Sequence, residues 1–486
     1  MRSNMRHLRF VAFSLKNLAL RVPQQRAVYR LGPLLSVAIL LGCSAGPEPK
    51  PQSDVAGMAP PSWSTSANSG VVQSGWISEF GDMQLVQLVN QALANNPDLA
   101  VSAAHLDLAM ASAKKAGAAL APNLDLGVAG DKTSYFGGQT PGSLRQNDVT
   151  SFGPSLDLSW ELDVWGRIRS EHRGVEEQAQ ASADDLEAAR HSLAAQVAKA
   201  WFAAIEAKLQ KDLANEFVVN YQKTLDIVQA RLTNGAVTQQ DLSTAQGDLA
   251  NAQQNAEANT TAYTEAVRSL EVLLGQYPGG ALDVAQTLQA VPPPIPAGLP
   301  SEILERRPDV RAAEREVAAA YQFVKEAQAA KLPRIALTSS IGSSSNSLAS
   351  LVDPKNIAAN FAGNLLAPIF DGGARQADLD SATAQQKVAY NKYRKVALVA
   401  FQEVENALTQ EASLTQRENN LTVASQKYTE AREIAETRYK QGETDLTSVL
   451  TVERQELQSR STLLQVKSER LQERVNLHLA LGGDFQ

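Results

Sequence analysis

The chain has 486 residues, a formal net charge of −7 and a single cysteine. Seven basic and no acidic side chains fall in residues 1–42, so the remainder carries 38 basic against 52 acidic residues, or −14. That balance excludes a nucleic-acid binder, which needs basic surface. One cysteine excludes a disulfide framework and a thiolate metal site.

The leader, residues 1–42, reads as a signal peptide. A basic segment with Arg21, Arg26 and Arg30 precedes an apolar run from Leu31 to Gly42. That run has the length of a secretory h-region and falls short of the about 20 residues that span a bilayer. It ends in Leu40-Leu41-Gly42-Cys43, which resembles the lipobox of bacterial lipoproteins. The resemblance implies that Cys43 is acylated and becomes the first mature residue. Ser44 in place of aspartate then implies sorting to the outer membrane. Residues 43–75 are rich in Pro, Ser and Gly and read as a lipid-anchored, extended tether.

From residue 76 one unit is written twice, over 76–290 and 300–486. Asn96-Pro97-Asp98-Leu99 recurs as Arg307-Pro308-Asp309-Val310, and Ala121-Pro122-Asn123-Leu124 recurs as Leu332-Pro333-Arg334-Ile335, both at an offset of 211. Further on the offset is 207, carrying Arg231–Gly235 onto Arg438–Gly442 and Leu274-Gly275 onto Leu481-Gly482. Between the units, residues 291–299 form a proline-rich linker that cannot be helical.

Each unit opens with a helix-forming segment that runs to Pro122 or Pro333. Two strand-like segments of about 9–11 residues follow, the length a membrane barrel strand needs. Phe152, Pro154, Leu156, Leu158, Trp160, Leu162 and Val164 alternate with Ser151, Gly153, Ser155, Asp157, Ser159, Glu161 and Asp163. Leu124, Leu126 and Val128 share a face, as do Ile335, Leu337 and Ile341, and Ile357, Phe361, Leu365 and Ile369. The alternation alone fits a soluble sheet packed on helices equally well. A four-stranded sheet cannot close a barrel, and lipid does not tolerate an open edge, so a membrane reading requires several chains to pool strands.

Long helices follow, from about Arg167 to Arg231 and from about Arg375 to Arg438, each roughly 100 Å at the standard rise. Leu186, Leu193, Ala200, Ala207, Ala214, Tyr221 and Val228 recur every seven residues, and Tyr393, Ala400, Ala407, Leu414, Leu421, Tyr428 and Ala435 repeat the stripe. A sustained heptad means coiled-coil packing. A soluble helical bundle competes with a tunnel on this feature alone.

Together these segments resemble the outer-membrane factor family, the channel-tunnels of tripartite efflux pumps and type I secretion systems. The match is closest to the lipoprotein branch serving resistance-nodulation-division transporters. It is carried by the lipobox, Asn95–Leu99, Leu158–Arg167, Arg306–Val310 and Ala367–Gly373. The resemblance implies a membrane α/β fold: a homotrimer whose twelve-stranded β-barrel, four strands per chain, continues into a periplasmic α-helical coiled-coil barrel. It implies a periplasmic adaptor, an inner-membrane transporter and outer-membrane lipid as partners. A type I secretion duct, a metal-ion efflux duct and a non-conducting envelope lipoprotein are the alternatives.

No enzyme is expected. The sequence has no HExxH, no GxSxG, no Walker loop and no dinucleotide fingerprint, and neither a cofactor nor a metal is implied. The glycine turns at Gly235 and Gly442 suit left-handed caps and would form the tips that meet an adaptor. In the family this end narrows to a gate, with aspartates six and nine positions beyond the second glycine; here Ser448 and Thr451 stand there. Asp241 and Tyr439 do match a pair that links neighbouring helix pairs in the closed state. Glu443, Asp445 and Glu453 are the nearest acids and are expected at the mouth.

Overall fold

The computed structural model describes residues 51–57, 59–65, 75–137 and 145–485, and Cys43 with its leader lies outside them. The described residues belong to one unit, Pro49–Gln486. In chain order the elements are α1 (Pro51–Ala56), α2 (Trp76–Glu79), α3 (Met83–Asn95), α4 (Pro97–Ala118), β1 (Asn123–Gly137), β2 (Arg145–Leu162), α5 (Arg167–Thr233) and α6 (Gln239–Leu273). After the linker come α7 (Ile303–Arg306), α8 (Pro308–Ala329), β3 (Arg334–Ser343), β4 (Ile357–Leu366), α9 (Ala374–Gln441) and α10 (Leu446–Ala480). Corresponding helices match in length: α4 and α8 have 22 residues each, α5 and α9 have 67 and 68, α6 and α10 have 35 each.

The helices start where their capping chemistry says they should. Asn96 accepts the amides of Asp98 and Leu99 at 2.9 and 3.1 Å, with Pro97 pre-set for the first turn. Gly166 leads α5 at φ 78°, and the Asp163 carboxylate reaches over it to accept the amides of Ile168 and Arg169. Asp371 does the same for Gly373 and Arg375 ahead of α9.

The heptad stripe is the core of the helical layer. Leu193, Ala207, Ala214, Tyr221 and Val228 are buried, as are Tyr393, Ala400, Ala407 and Leu414. α8 packs between α5 and α9, and α10 also packs against both, so α10 and α8 form one broken track between two unbroken ones. Arg474 of α10, 1% exposed, holds the linker by donating to the carbonyls of Pro292, at 2.9 Å, and Pro293, while its other nitrogen pairs with Glu411 at 2.6 Å.

The segment after the lipobox is not an extended tether throughout. Val55 of α1 and Trp63 are buried in the cluster around Ile295, Ala297 and Ile303. The Trp63 indole donates to the carbonyls of Ala297 and Gly298, and Glu405 accepts the amides of Ser64 and Thr65. Two large apolar side chains outweigh the low helix propensity of their neighbours and pull this stretch onto the fold.

The four strands form one antiparallel sheet in the order β1-β2-β3-β4. Its register sets Leu124 opposite Leu158, Leu126 opposite Leu156, Leu156 opposite Ile341, Trp160 opposite Leu337 and Ile335 opposite Leu365. Directly opposed residues share a face, so one face is apolar across all four strands. The other face pairs Asp125 with Asp157, Ser159 with Thr338 and Ser340 with Asn360. β1 and β2 run to 15 and 18 residues, longer than expected, because the ladder continues past the apolar belt. In that extension Lys132 and Asp148 pair at 2.8 Å. Val164 and Ile369 fall outside the strands, where the Asp163 cap and Pro368 turn the chain.

Candidate functional site

Two regions present unfinished surfaces. Among the described residues most of the sheet's apolar face is uncovered: Leu126 is 76% exposed, Val128 80% and Phe361 73%, while Trp160 near its base donates to the Leu120 carbonyl. A soluble sheet buries such a face against helices. Among the described residues no helix is long and apolar enough to cross a membrane. The sheet therefore supplies the surface suited to lipid.

At the far end of the helices lie the paired turns. Gly235 at φ 70° and Gly442 at φ 81° close α5 and α9 in the same way. The amide of Ala236 reaches the Arg231 carbonyl and that of Glu443 the Arg438 carbonyl, both at 2.9 Å. Thr238 and Asp241 then form a capping box that starts α6, and Asp445 starts α10 by accepting the Ser448 amide at 2.8 Å. The Ser448 hydrogen bonds hold the Asp445 carboxyl below its ordinary range.

Within one chain Asp241 and Tyr439 do not bond each other. The Asp241 carboxylate accepts from the Thr238 amide and hydroxyl, each at 2.8 Å. Tyr439 is 3% exposed and its hydroxyl has no partner among the described residues. Burial raises the phenol pKa, with nearby Asp241 adding to the rise and Arg231 opposing it. The tie between the two turns is Arg231, whose guanidinium lies 4.4 Å from the Tyr439 ring centre and donates to the Tyr439 carbonyl. Only a basic residue in the last turn before each glycine, Arg231 and Arg438, hinted at this in the sequence.

Around that tie Val228, Leu446, Val449 and Leu450 bury an apolar plug with Tyr439. Ser448 and Thr451 are exposed, and the Thr451 hydroxyl is spent on the Thr447 carbonyl. Glu443 pairs loosely with Arg438 at 3.5 Å. Glu453 departs from expectation. It is fully buried against α5 rather than at an acidic mouth, because its place on α10 faces the helix seam.

The two-faced sheet joined to roughly 100 Å helix tracks is the architecture of a membrane protein with a long helical extension. The chain belongs to the outer membrane efflux protein family, whose model matches residues 88–276 and 299–483. It is 32% identical to the cation efflux system protein CusC of Escherichia coli O6:H1, over 94% of this chain and 99% of that one. It is equally 32% identical to the pyoverdine export outer membrane protein OpmQ of Pseudomonas aeruginosa, over 93% and 96%. The solved outer-membrane channel OprN superposes with a TM-score of 0.81 at 27% identity, covering 91% of this chain and all of that one. A CusC crystal structure gives 0.78 at 29% identity over 88% and 99%. The protein is an outer-membrane efflux channel.

Proposed function

We propose that three copies pool their sheets into a twelve-stranded barrel, and that the two matched units of each chain supply the helices of a tunnel beneath it. The observation that carries this is the sheet. It exposes an apolar face, and β1 and β4 each leave one edge without a neighbour among the described residues. Lipid tolerates neither an open edge nor a partial barrel. Joining β4 of one copy to β1 of the next removes every edge, and twelve strands lie within the known range.

On this reading the duct is passive. A periplasmic adaptor seats on the Gly235 and Gly442 turns, and an inner-membrane transporter of the resistance-nodulation-division type supplies the energy. Acylated Cys43 anchors the chain to the outer membrane. Relatives are named for cations, pyoverdine and antibiotics, which fits a duct whose cargo is chosen by its transporter. The tip is the gate. Arg231, Tyr439 and the apolar plug hold it closed, with Asp241, Glu443, Asp445, Ser448 and Thr451 around the opening.

The test is native mass spectrometry of the detergent-purified protein, followed by planar-bilayer recording. A trimer with one diacylglyceryl-modified cysteine per chain is expected. Conductance should rise with Arg231→Ala, which removes the tie to the Tyr439 ring and carbonyl, and should stay near wild type with Tyr439→Phe, which keeps both. A monomer that conducts would overturn the pooled barrel.

A further inference from the structure

Two buried glutamates sit one helical turn apart on α10, about 15–20 Å from the Gly442 turn by helix rise. Glu453 is 0% exposed and Glu456 is 1% exposed. Their surroundings differ. Glu456 faces Arg432 of α9 at 2.6 Å and Arg460 of α10 at 3.6 Å, and accepts from the Thr429 hydroxyl at 2.8 Å. Arg460 in turn clamps Glu216 of α5 at 2.6 and 2.8 Å. Opposite charge therefore matches Glu456. Glu453 has only the Thr224 hydroxyl of α5, which donates to Oε1 at 3.1 Å, while its buried Oε2 has no partner among the described residues.

This is the seam where α5 of the first unit meets α10 of the second. An ionised carboxylate enclosed there without a counter-ion calls for water, and water can enter only if the two helices part. A neutral carboxylic acid carries no such requirement. The charged groups acting on Glu453 are Glu436 and Arg432 from α9 and Glu456 from α10. From the flanks, Asp248 of α6 and Arg454 of α10 act, together with Glu453, on neighbouring Tyr221 of α5.

We propose that Glu453 is a proton-operated latch: protonated, it lets α5 and α10 close over Thr224, and deprotonated, it loosens that seam and favours the open tip. Burial, seconded by Glu436, outweighs the Thr224 hydrogen bond and Arg432 and raises its pKa to about 7 in the closed seam. In a hydrated open seam the carboxyl returns toward its ordinary value of 4.5. The sign follows from linkage. The closed form binds the proton more tightly, so the open-to-closed ratio rises by up to about tenfold per pH unit between those two values and levels off above the higher one. The latch rests on the channel reading given above.

The experiment pairs two readouts on the full-length protein across about pH 5 to pH 8.5. Infrared difference spectra of wild type minus Glu453→Gln follow the carboxylic-acid band, whether or not the protein conducts. Planar bilayers follow open probability. The band should disappear through neutral pH, and wild-type open probability should climb several-fold from acid pH to a plateau. Glu453→Gln should stay at the acid-side level at every pH. Thr224→Val, which removes the one bond favouring ionisation, should move the band's loss to higher pH. Glu456→Gln should leave a pH response. A band lost only in the ordinary carboxylate range, or a pH response surviving Glu453→Gln, would overturn the latch. A band that titrates through neutral pH in a protein that never conducts would overturn the channel reading and leave the proton site standing.

Discussion

Each chain twice ends a lower helix against the start of an upper one, and the two junctions close the same gap with different chemistry. In the first, Asn96 caps its own helix α4 and donates its amide to the Leu273 carbonyl at the end of α6, at 3.0 Å. In the second, Arg307 stands at the matching place and makes no cap. Its guanidinium donates to the Ala480 carbonyl at the end of α10, forks onto Asp309, and reaches Glu403 of α9 at 2.6 Å. The carbonyl ends are exchanged too. Glu271 of α6 accepts three amides from the following loop, whereas His478 of α10 is buried against Trp76 with a centroid distance of 5.3 Å. A neutral amide keeps the first junction within its own track. The guanidinium ties the second to the neighbouring long helix, so strain there is shared with α9.

The sharpest way to break the comparison is at the glycines that abut both junctions. Gly275 and Gly482 both sit at φ 70°. A Cβ on Gly275 would meet the Asn95 carbonyl oxygen at 2.4 Å, while one on Gly482 would meet the Arg306 Cβ at 3.0 Å. Both alanine variants carry the left-handed penalty, and only the first drives into a backbone oxygen. Gly275→Ala should cost about 3 kcal/mol or more and Gly482→Ala about half as much, read as the difference in denaturant midpoints. Equal losses would show that the tracks relax alike.

Next comes Arg307→Ala. It strips the Ala480 carbonyl of a donor and leaves Asp309 and Glu403 without their cation. Glu403 is about half exposed and re-solvates, so the loss should be about 2 kcal/mol, below that of a fully buried pair. Hydrogen exchange should rise in α9 around Glu403 as well as at the junction. Protection unchanged in α9 would refute the coupling between tracks.

These junctions also mark what the sequence could and could not disclose. The offset of 211 already aligned Asn96-Pro97-Asp98 with Arg307-Pro308-Asp309, because proline and a capping residue announce a helix start locally. Period-2 alternation placed Leu124, Leu156 and Leu337 on one face for the same local reason. Partners across the fold were not legible. Nothing near Arg231 names Tyr439 as the ring it covers, 208 positions away. Nothing near Glu453 distinguishes an exposed acid from one enclosed by Thr224. A Pro- and Ser-rich stretch reads as tether until Trp63 is seen to fill a gap that only the folded linker creates.

A pH series separates the carbonyl ends. Burial and then Arg474 depress the His478 pKa from 6.5 to about 3, against the pull of Glu79 at 3.6 Å. The unfolded chain therefore binds a proton that the folded one refuses, and stability falls as pH drops from 6.5 toward 3. By pH 5 that loss should reach about 2 kcal/mol. Burial opposes ionisation of Glu271, but the amides of Gly280, Ala281 and Leu282 outweigh it and lower the pKa. Its stabilisation holds above 4.5 and is lost only below, as pH falls through the folded value. Wild type minus His478→Gln should thus change between pH 6.5 and 5, while wild type minus Glu271→Gln stays flat there. A Glu271 difference already changing in that window would contradict the assignment.

The smallest effect should come from Asn96. Asn96→Ala removes the cap on Asp98 and Leu99 and the donor to Leu273, but the helix keeps Pro97 and water can reach its first turn. About 1 kcal/mol is expected, the ordinary cost of a lost cap. Asn96→Asp keeps the cap, gains from the positive end of the α4 dipole, and loses the donor to Leu273 while setting a charge beside that carbonyl. If the first junction is held mainly by its cap, Asn96→Asp should melt within about half a kcal/mol of wild type. If it is held mainly by the bond across the gap, Asn96→Asp should be no better than alanine. The second outcome would make the two junctions alike after all, each depending on a donor thrown across to the carbonyl end of the helix below.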